Sequence, residues 1–108
     1  MELNEISARY AQLAQIADKL GDDRKAVITP LLTEIVFMEG KLENLRTMQH
    51  IRVHPKNPAR QEITPAGKQY KETMQAYLGA VKTVLTALYK TDTDEANELI
   101  EKLKEFEL

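Results

Sequence analysis

The chain has 108 residues, with 15 Lys and Arg against 17 Asp and Glu and a formal net charge of -2. This length allows one domain at most. The chain contains no cysteine, which excludes disulfides, thiolate metal sites and cysteine nucleophiles. No apolar run approaches the ~20 residues of a membrane span. The first residues lack the pattern of a signal peptide, so we expect a cytoplasmic protein without a membrane partner.

The first predicted element is an N-terminal helix within residues 1–21. Apolar side chains recur at spacings of three and four from Leu3 to Leu20, which places them on one helical face. Gly21 then supplies a C-terminal stop.

A second and longer helix is predicted from about Asp23 to Gln49. Its apolar positions follow the a/d rhythm of a coiled-coil seam: Leu31, Ile35, Met38, Leu42 and Leu45. Pro30 favours a kink or a short break near Val27 to Pro30, because an interior proline removes a hydrogen bond and clashes with the preceding turn. Gly40 weakens the helix locally or marks a close helix crossing.

Residues 50–63 are predicted to form a basic loop. Pro55 and Pro58 each bias the preceding residue away from helix. Ile51 and Val53 can form a short extended piece. A loop of this length between helices is often functional or disordered.

A third helix begins at Thr64-Pro65, which combines a cap residue with proline at the first helical position. It is predicted to reach about Tyr89, with its apolar stripe at Tyr70, Met74, Tyr77, Val81, Leu85 and Leu88. Two helices of matched length joined by a loop indicate an antiparallel helical hairpin over residues 22–90.

Residues 91–108 are predicted to form a short acidic C-terminal helix. Its narrow apolar stripe is a candidate docking surface for a partner: Leu99, Ile100, Leu103 and Phe106. The helix can instead fold back on the bundle, or pair with the basic loop of a neighbouring subunit. The whole pattern predicts a single all-α domain, in which a coiled-coil-like helical hairpin carries one helix at each end.

The basic loop is the strongest functional signal. Residues 44–61 contain no Asp or Glu but carry Arg46, Arg52, Lys56 and Arg60. Such side chains neutralise DNA phosphates and release counterions, so we expect contact with double-stranded DNA. The alternative is an ordinary solvated loop. No aromatic residue lies between these cations, which argues against base stacking.

Catalytic and metal signals are weak. Ser7 is the only serine, and no glycine-rich phosphate loop, HExxH or GxSxG motif is present. His50 and His54 are separated by four residues, but no further ligand stands near them in sequence. We therefore expect no enzyme activity, cofactor, metal or small-molecule substrate. An enzyme that uses a pair of carboxylates is the least favoured interpretation.

Apolar residues beyond the two stripes predict self-association. Leu32, Val36 and Phe37 lie off the seam of the second helix, and the third helix has further apolar positions of the same kind. An exposed patch of this kind usually marks an interaction site. Coiled-coil packing between copies is the simplest way to cover it, so we expect a homo-oligomer.

Several short segments between Pro30 and Leu88 carry a family resemblance. They are Leu31-Leu32-Thr33-Glu34-Ile35, Glu43-Asn44-Leu45-Arg46, the turn from His54 to Arg60, Tyr70-Lys71-Glu72 and Tyr77-Leu78. This run resembles the helical hairpin of phage and prophage proteins of the terminase small-subunit type. The resemblance implies a non-catalytic, ring-forming subunit that binds viral DNA in the host cytoplasm and regulates the large ATPase-nuclease subunit. The alternative is a protein-binding adaptor or inhibitor without a nucleic-acid role.

Overall fold

The computed structural model describes residues 2–91 and 93–106. Its elements are α1 (Leu3–Ala17), α2 (Asp22–Arg46), β1 (Ile51–His54), β2 (Asn57–Ile63), α3 (Pro65–Thr91) and α4 (Asp94–Lys104). The predicted all-α class with a helical hairpin is confirmed, and a short two-stranded sheet is added to it. Part of the predicted acidic segment, namely Asp92, Glu107 and Leu108, lies outside the described residues.

The four helices form a bundle in which each helix has two neighbours. α1 packs against α2 and α4, and α3 packs against the same two helices. At 1.5 Å per residue, α2 and α3 are about 38 and 40 Å long, whereas α1 and α4 are only about 22 and 16 Å long. The long pair therefore extends beyond the bundle, and the molecule measures 60 × 29 × 19 Å.

The core is aliphatic and confirms the predicted stripes. Five of the predicted seam residues are buried: Ile35, Leu42, Leu45, Tyr77 and Leu88. The other six are partly buried: Leu31, Met38, Tyr70, Met74, Val81 and Leu85. These side chains serve the core of one chain, and Gly40 lies at a close crossing, where an added Cβ would lie 3.0 Å from Ile6 Cδ1.

The predicted apolar surface outside the seams is partly covered within the chain. Leu32, Val36 and Val84 are fully buried because α1 and α4 complete the bundle. Phe37 and Leu78 remain more than half exposed. Burial within the chain therefore reduces the predicted apolar surface without removing it, and self-association stays a prediction.

The proposed docking stripe on the C-terminal helix is part of the core. Leu99, Ile100 and Leu103 are buried, and the Phe106 ring packs edge-on against Tyr77 at 5.7 Å between centroids. The prediction that a partner docks on this stripe is therefore wrong for the folded chain. Burial of these side chains against α1 and α3 explains the outcome, since α4 supplies the fourth side of the bundle.

Of the kink or short break predicted near Val27 to Pro30, the break is wrong, because α2 is a continuous helix with Pro30 inside it, whereas the kink stays a prediction. Proline in a helix interior costs about 3 kcal/mol. Burial of Ile28, Leu32 and Ile35, which flank Pro30 on one face, offsets that cost. Pro30 itself faces solvent, so its ring does not disturb the core.

A buried polar network joins all four helices at one end of the bundle. The Arg9 guanidinium on α1 holds the fully buried Glu39 carboxylate on α2 through Nε–Oε1 at 3.0 Å and Nη2–Oε2 at 3.2 Å. The Tyr77 hydroxyl on α3 donates to Glu39 Oε2 at 3.0 Å. Arg9 Nη1 also donates to the Lys102 carbonyl oxygen at the end of α4, at 2.8 Å. Burial, followed by the charge of Glu39, raises the pKa of Tyr77 well above its ordinary value.

This network divides the molecule into two regions. Beyond Glu39 and Tyr77, the last turns of α2 and the first turns of α3 carry the two-stranded sheet away from the four-helix bundle. Residues 40–76, of which Gly40 and Leu42 still pack into the bundle, make up this projecting region, which we name the arm.

Candidate functional site

The arm and the bundle have opposite charge. Residues 40–76 contain seven Lys and Arg against three Glu, whereas the remainder of the chain contains eight Lys and Arg against fourteen Asp and Glu. The basic segment found in the sequence therefore belongs to a larger cationic region at one end of an elongated molecule. Such a separation of charge creates a positive electrostatic potential over the arm.

The segment predicted as a loop over residues 50–63 is a β-hairpin. β1 and β2 are antiparallel, with Ile51 opposite Ile63, Arg52 opposite Glu62 and Val53 opposite Gln61. The predicted extended piece at Ile51 and Val53 is confirmed, whereas the loop assignment to the remainder was wrong. Prolines are tolerated in edge strands and at irregularities, where no ladder hydrogen bond needs their missing N–H. Both strands of a two-stranded sheet are edge strands, so Pro58 in β2 is tolerated.

The base of the β-hairpin is bonded to the first turn of α3. The Thr64 hydroxyl donates to the Gln49 carbonyl oxygen at 2.6 Å and accepts from the Gly67 N–H at 3.0 Å, so it caps the helix and holds the chain before β1. The Thr64 N–H donates to the His50 carbonyl oxygen at 2.9 Å. Gly67 is required here, because an added Cβ would lie 2.5 Å from that same oxygen.

His50 adds a second attachment between the β-hairpin and the helices. Its Nε2 lies 2.7 Å from the Leu45 carbonyl oxygen near the end of α2, and therefore donates to it. Its ring also lies against Tyr70 of α3, with 4.9 Å between centroids. The β-hairpin is thus fixed to both long helices at its base, while its strands project into solvent.

The two faces of the β-hairpin differ in chemistry. Residues directly opposite in an antiparallel pair share a face, and successive residues alternate between faces. Ile51, Val53 and Ile63 therefore lie with Gln61 on one face, which we name the aliphatic face, and the three aliphatic side chains are 51%, 47% and 59% exposed. Arg52 and Glu62 lie on the opposite, charged face.

A small cleft opens among the charged side chains near the turn. It has a volume of about 200 Å³ and is lined by Arg52, Val53, His54, Pro55, Arg60 and Glu62. The register is irregular between Val53 and His54, since their partners are Gln61 and Asn57. The three residues of β2 between those partners bulge out, and the bulge brings Arg60 beside the end of β1.

The four predicted DNA-binding residues are thus partly brought together. Arg52 and Arg60 line the same cleft, and Lys56 occupies the exposed two-residue turn between the strands. Arg46 lies apart from them, exposed at the last residue of α2. All four are on the arm, and three belong to the β-hairpin.

Sequence reasoning missed Glu62 in the cleft and both members of the buried Arg9–Glu39 pair in the bundle. Glu62 lines the cleft, and period-two alternation of apolar residues around Arg52 was the signal that could have placed Glu62 opposite it. Glu39 was missed in the bundle. Its position within the buried stripe of α2, between Ile35 and Leu42, marks it as a carboxylate that needs a buried partner.

Within residues 2–91 and 93–106, no three His, Asp or Glu side chains are placed to hold a metal ion together. None of the helices in these ranges combines the length and apolar character needed to cross a membrane. Comparisons of the chain with family models, curated proteins and solved structures find no match. Function is therefore inferred from the residues and their geometry.

Proposed function

We propose that the chain is a non-catalytic protein that binds the phosphate backbone of double-stranded DNA through its arm. One observation carries the proposal: a projecting β-hairpin bears Arg52, Lys56 and Arg60 at the cationic end of an otherwise acidic molecule. All three side chains are exposed. Arginine in particular can donate two parallel hydrogen bonds to one phosphate.

The shape of the site is compatible with duplex DNA. A two-stranded β-ribbon fits the major groove, where its cations reach the phosphates on either side. Phosphate contacts position a protein without reading the sequence, so we expect little discrimination among duplexes. Four such contacts lower the affinity about 100-fold between 50 and 200 mM salt, because the slope is about -0.9 per phosphate.

The wider role included in the proposal is that of a phage DNA-packaging accessory acting in the host cytoplasm. Its support is the resemblance to terminase small subunits together with the cationic arm. A large motor subunit, if it is the partner, would meet the outer acidic side chains of α4, since the apolar stripe of that helix is buried. A pull-down of the large subunit by wild type but not by a Glu98→Gln/Glu101→Gln variant tests this part.

Fluorescence anisotropy of labelled duplexes tests DNA binding directly. Arg52→Ala/Arg60→Ala removes two cations from the β-hairpin, and we expect its affinity to fall at least tenfold for unrelated duplex sequences. Lys82→Ala/Lys90→Ala is the matched control, because it removes the same charge from exposed positions of α3 in the bundle. Equal losses in the two variants would show that overall charge, rather than the β-hairpin, governs binding.

A second candidate function is favoured by the aliphatic face of the β-hairpin. DNA bound to the charged face leaves Ile51, Val53 and Ile63 open to solvent, and a two-stranded sheet is marginally stable without further packing. A protein-binding adaptor would use this face. A second copy of the chain fits it as a partner, because face-to-face packing about a two-fold axis keeps both sets of arginines pointing outward.

The absence of cysteine makes this candidate testable by cross-linking. In an otherwise cysteine-free chain, Val53→Cys on the aliphatic face should form an intermolecular disulfide under mild oxidation. Arg52→Cys, on the opposite face of the same strand, should form little intermolecular disulfide. Equal cross-linking of the two variants, or none in either, would exclude pairing through the aliphatic face.

A further inference from the structure

The charged face of the β-hairpin contains one carboxylate among its cations. Glu62 lies opposite Arg52 in the strand register, and its Oε1 is 3.9 Å from Nη2 of Arg60. Both members of the Arg60–Glu62 pair are well exposed, at 64% and 60%. A separation of 3.9 Å is too long for a hydrogen bond, so Glu62 neutralises the cleft without binding its arginines tightly.

The remaining groups of the cleft are suited to an anion with several oxygen atoms. Arg52 and Arg60 each present a fork of N–H donors. The Lys56 N–H donates to Nδ1 of His54 at 3.2 Å, so the neutral ring carries its proton on Nε2 and has a donor left to offer. Pro55 adds an apolar wall to the cleft.

We propose that this cleft binds a single phosphate group between Arg52 and Arg60, and that Glu62 competes with the phosphate for the two guanidinium groups. A phosphate offers more acceptor oxygens than a carboxylate, so it can engage both forks together. Glu62 therefore sets the affinity of the arm and holds it below the value that the cations alone would produce. This inference deepens the proposed function and rests on it where the ligand is DNA.

The competition has a measurable size. An exposed ion pair contributes up to about 1 kcal/mol, which is about fivefold in an equilibrium constant. Removing the carboxylate should therefore raise the affinity for phosphate roughly two- to fivefold at low salt. A phosphodiester of DNA and a free phosphate ion share the recognised chemistry, so each serves as a probe and the two results separate the sources.

The experiment compares Glu62→Gln with Glu72→Gln in the full chain. Both substitutions neutralise an exposed glutamate of the arm and preserve its shape, but Glu72 lies on α3 away from the cleft lining. Inorganic phosphate is titrated at constant ionic strength while amide shifts are followed by NMR, and duplex DNA is titrated by anisotropy. We expect Glu62→Gln to bind both probes two- to fivefold more tightly, with the phosphate-induced shifts concentrated at residues 52–62. Glu72→Gln should change the affinity for inorganic phosphate and for duplex DNA by less than half as much as Glu62→Gln does.

The results separate the inference from the proposed function. Equal effects of the two substitutions on both probes would overturn the proposal that the cleft binds phosphate. Phosphate-induced amide shifts spread over the bundle would overturn it as well. If inorganic phosphate binds as expected while wild type fails to retain duplex DNA at low salt, the cleft stands as a phosphate site and the DNA-binding proposal fails. If DNA binds but inorganic phosphate leaves residues 52–62 unshifted, the DNA-binding proposal stands and the cleft is wrong.

Discussion

Two arginine–glutamate pairs, one in each region of the molecule, show how burial changes what a pair of charges does. Arg9 and Glu39 meet at 3.0 Å in the bundle, with side chains 11% and 0% exposed. Arg60 and Glu62 are 3.9 Å apart on the arm and remain mostly in solvent. The buried pair has further partners on the two other helices and fixes their arrangement. The exposed pair is loosely held, so its arginine can exchange the carboxylate for another anion.

The largest expected effect of a single substitution is at the buried pair. Arg9→Met leaves the Glu39 carboxylate buried without its cation, which should lower the free energy of unfolding by about 3–5 kcal/mol. The exposed Arg24→Met, within the first turn of α2, should change it by less than about 0.5 kcal/mol. Urea denaturation measures both values. Similar small losses in the two variants would mean that Arg9 does not hold the bundle together.

Alanine substitutions at two glycines of α3 should change the free energy of unfolding in opposite directions. Gly67→Ala places a Cβ against the His50 carbonyl oxygen and should destabilise the chain by about 1–2 kcal/mol. Gly79→Ala meets no atom within 4 Å and should stabilise the helix by about 0.5–1 kcal/mol. Urea denaturation again gives both signs.

Hydrogen exchange shows where the effect of Gly67→Ala acts. The Thr64 amide, which donates to the displaced carbonyl, should lose protection while amides of the bundle keep theirs. A stabilising Gly67→Ala with the Thr64 amide still protected would contradict the close attachment of the β-hairpin to α3.

The pH dependence of stability isolates Tyr77. Its pKa is higher in the folded chain than in the unfolded chain, where it is about 10. The two states bind equal numbers of protons below that value, and above it the unfolded chain loses a proton that the folded chain retains. Stability should therefore fall above pH 10 by up to about 1.4 kcal/mol per pH unit on account of this group.

Between pH 9.5 and 11, the free energy of unfolding of Tyr77→Phe should decrease less steeply than that of wild type. The substitution also removes the hydrogen bond to Glu39, and this loss is measured at neutral pH and subtracted. The measurement is the free energy of unfolding in urea at each pH. Parallel curves for the two proteins would show that the hydroxyl of Tyr77 titrates alike in the folded and unfolded chains.

Most of the bundle could be predicted from the sequence, because the spacing of its apolar residues directly reflects the faces that pack. The range of α3 and its stripe from Tyr70 to Leu88 were predicted closely for this reason. The continuity of α2 through Pro30 could not be predicted, because burial of Ile28 and Leu32 in the core overrides the local preference of proline against a helix interior. The fate of α4 was likewise undecided, because an amphipathic stripe fits a partner and the same chain's core equally well.

The candidate site was predicted in part. The excess of cations over residues 44–61 is a property of the sequence, and it correctly placed Arg52, Lys56 and Arg60 on one projecting element. The cleft could not be predicted, because it depends on an irregular register that sets Arg60 beside the end of β1. The alternation around Arg52 indicates a strand, but its pairing with Glu62 also depends on the register between the two strands.

The salt dependence of duplex binding tests the central claim most directly, namely that the cations of the β-hairpin contact phosphates. Each phosphate contact contributes about -0.9 to the slope of log K against log salt. Arg52→Ala/Arg60→Ala should therefore show a slope shallower than that of wild type by about 1.8, whereas Lys82→Ala/Lys90→Ala should keep the wild-type slope. The same slope in all three proteins, or no retention of duplex DNA by wild type at low salt, would contradict the account.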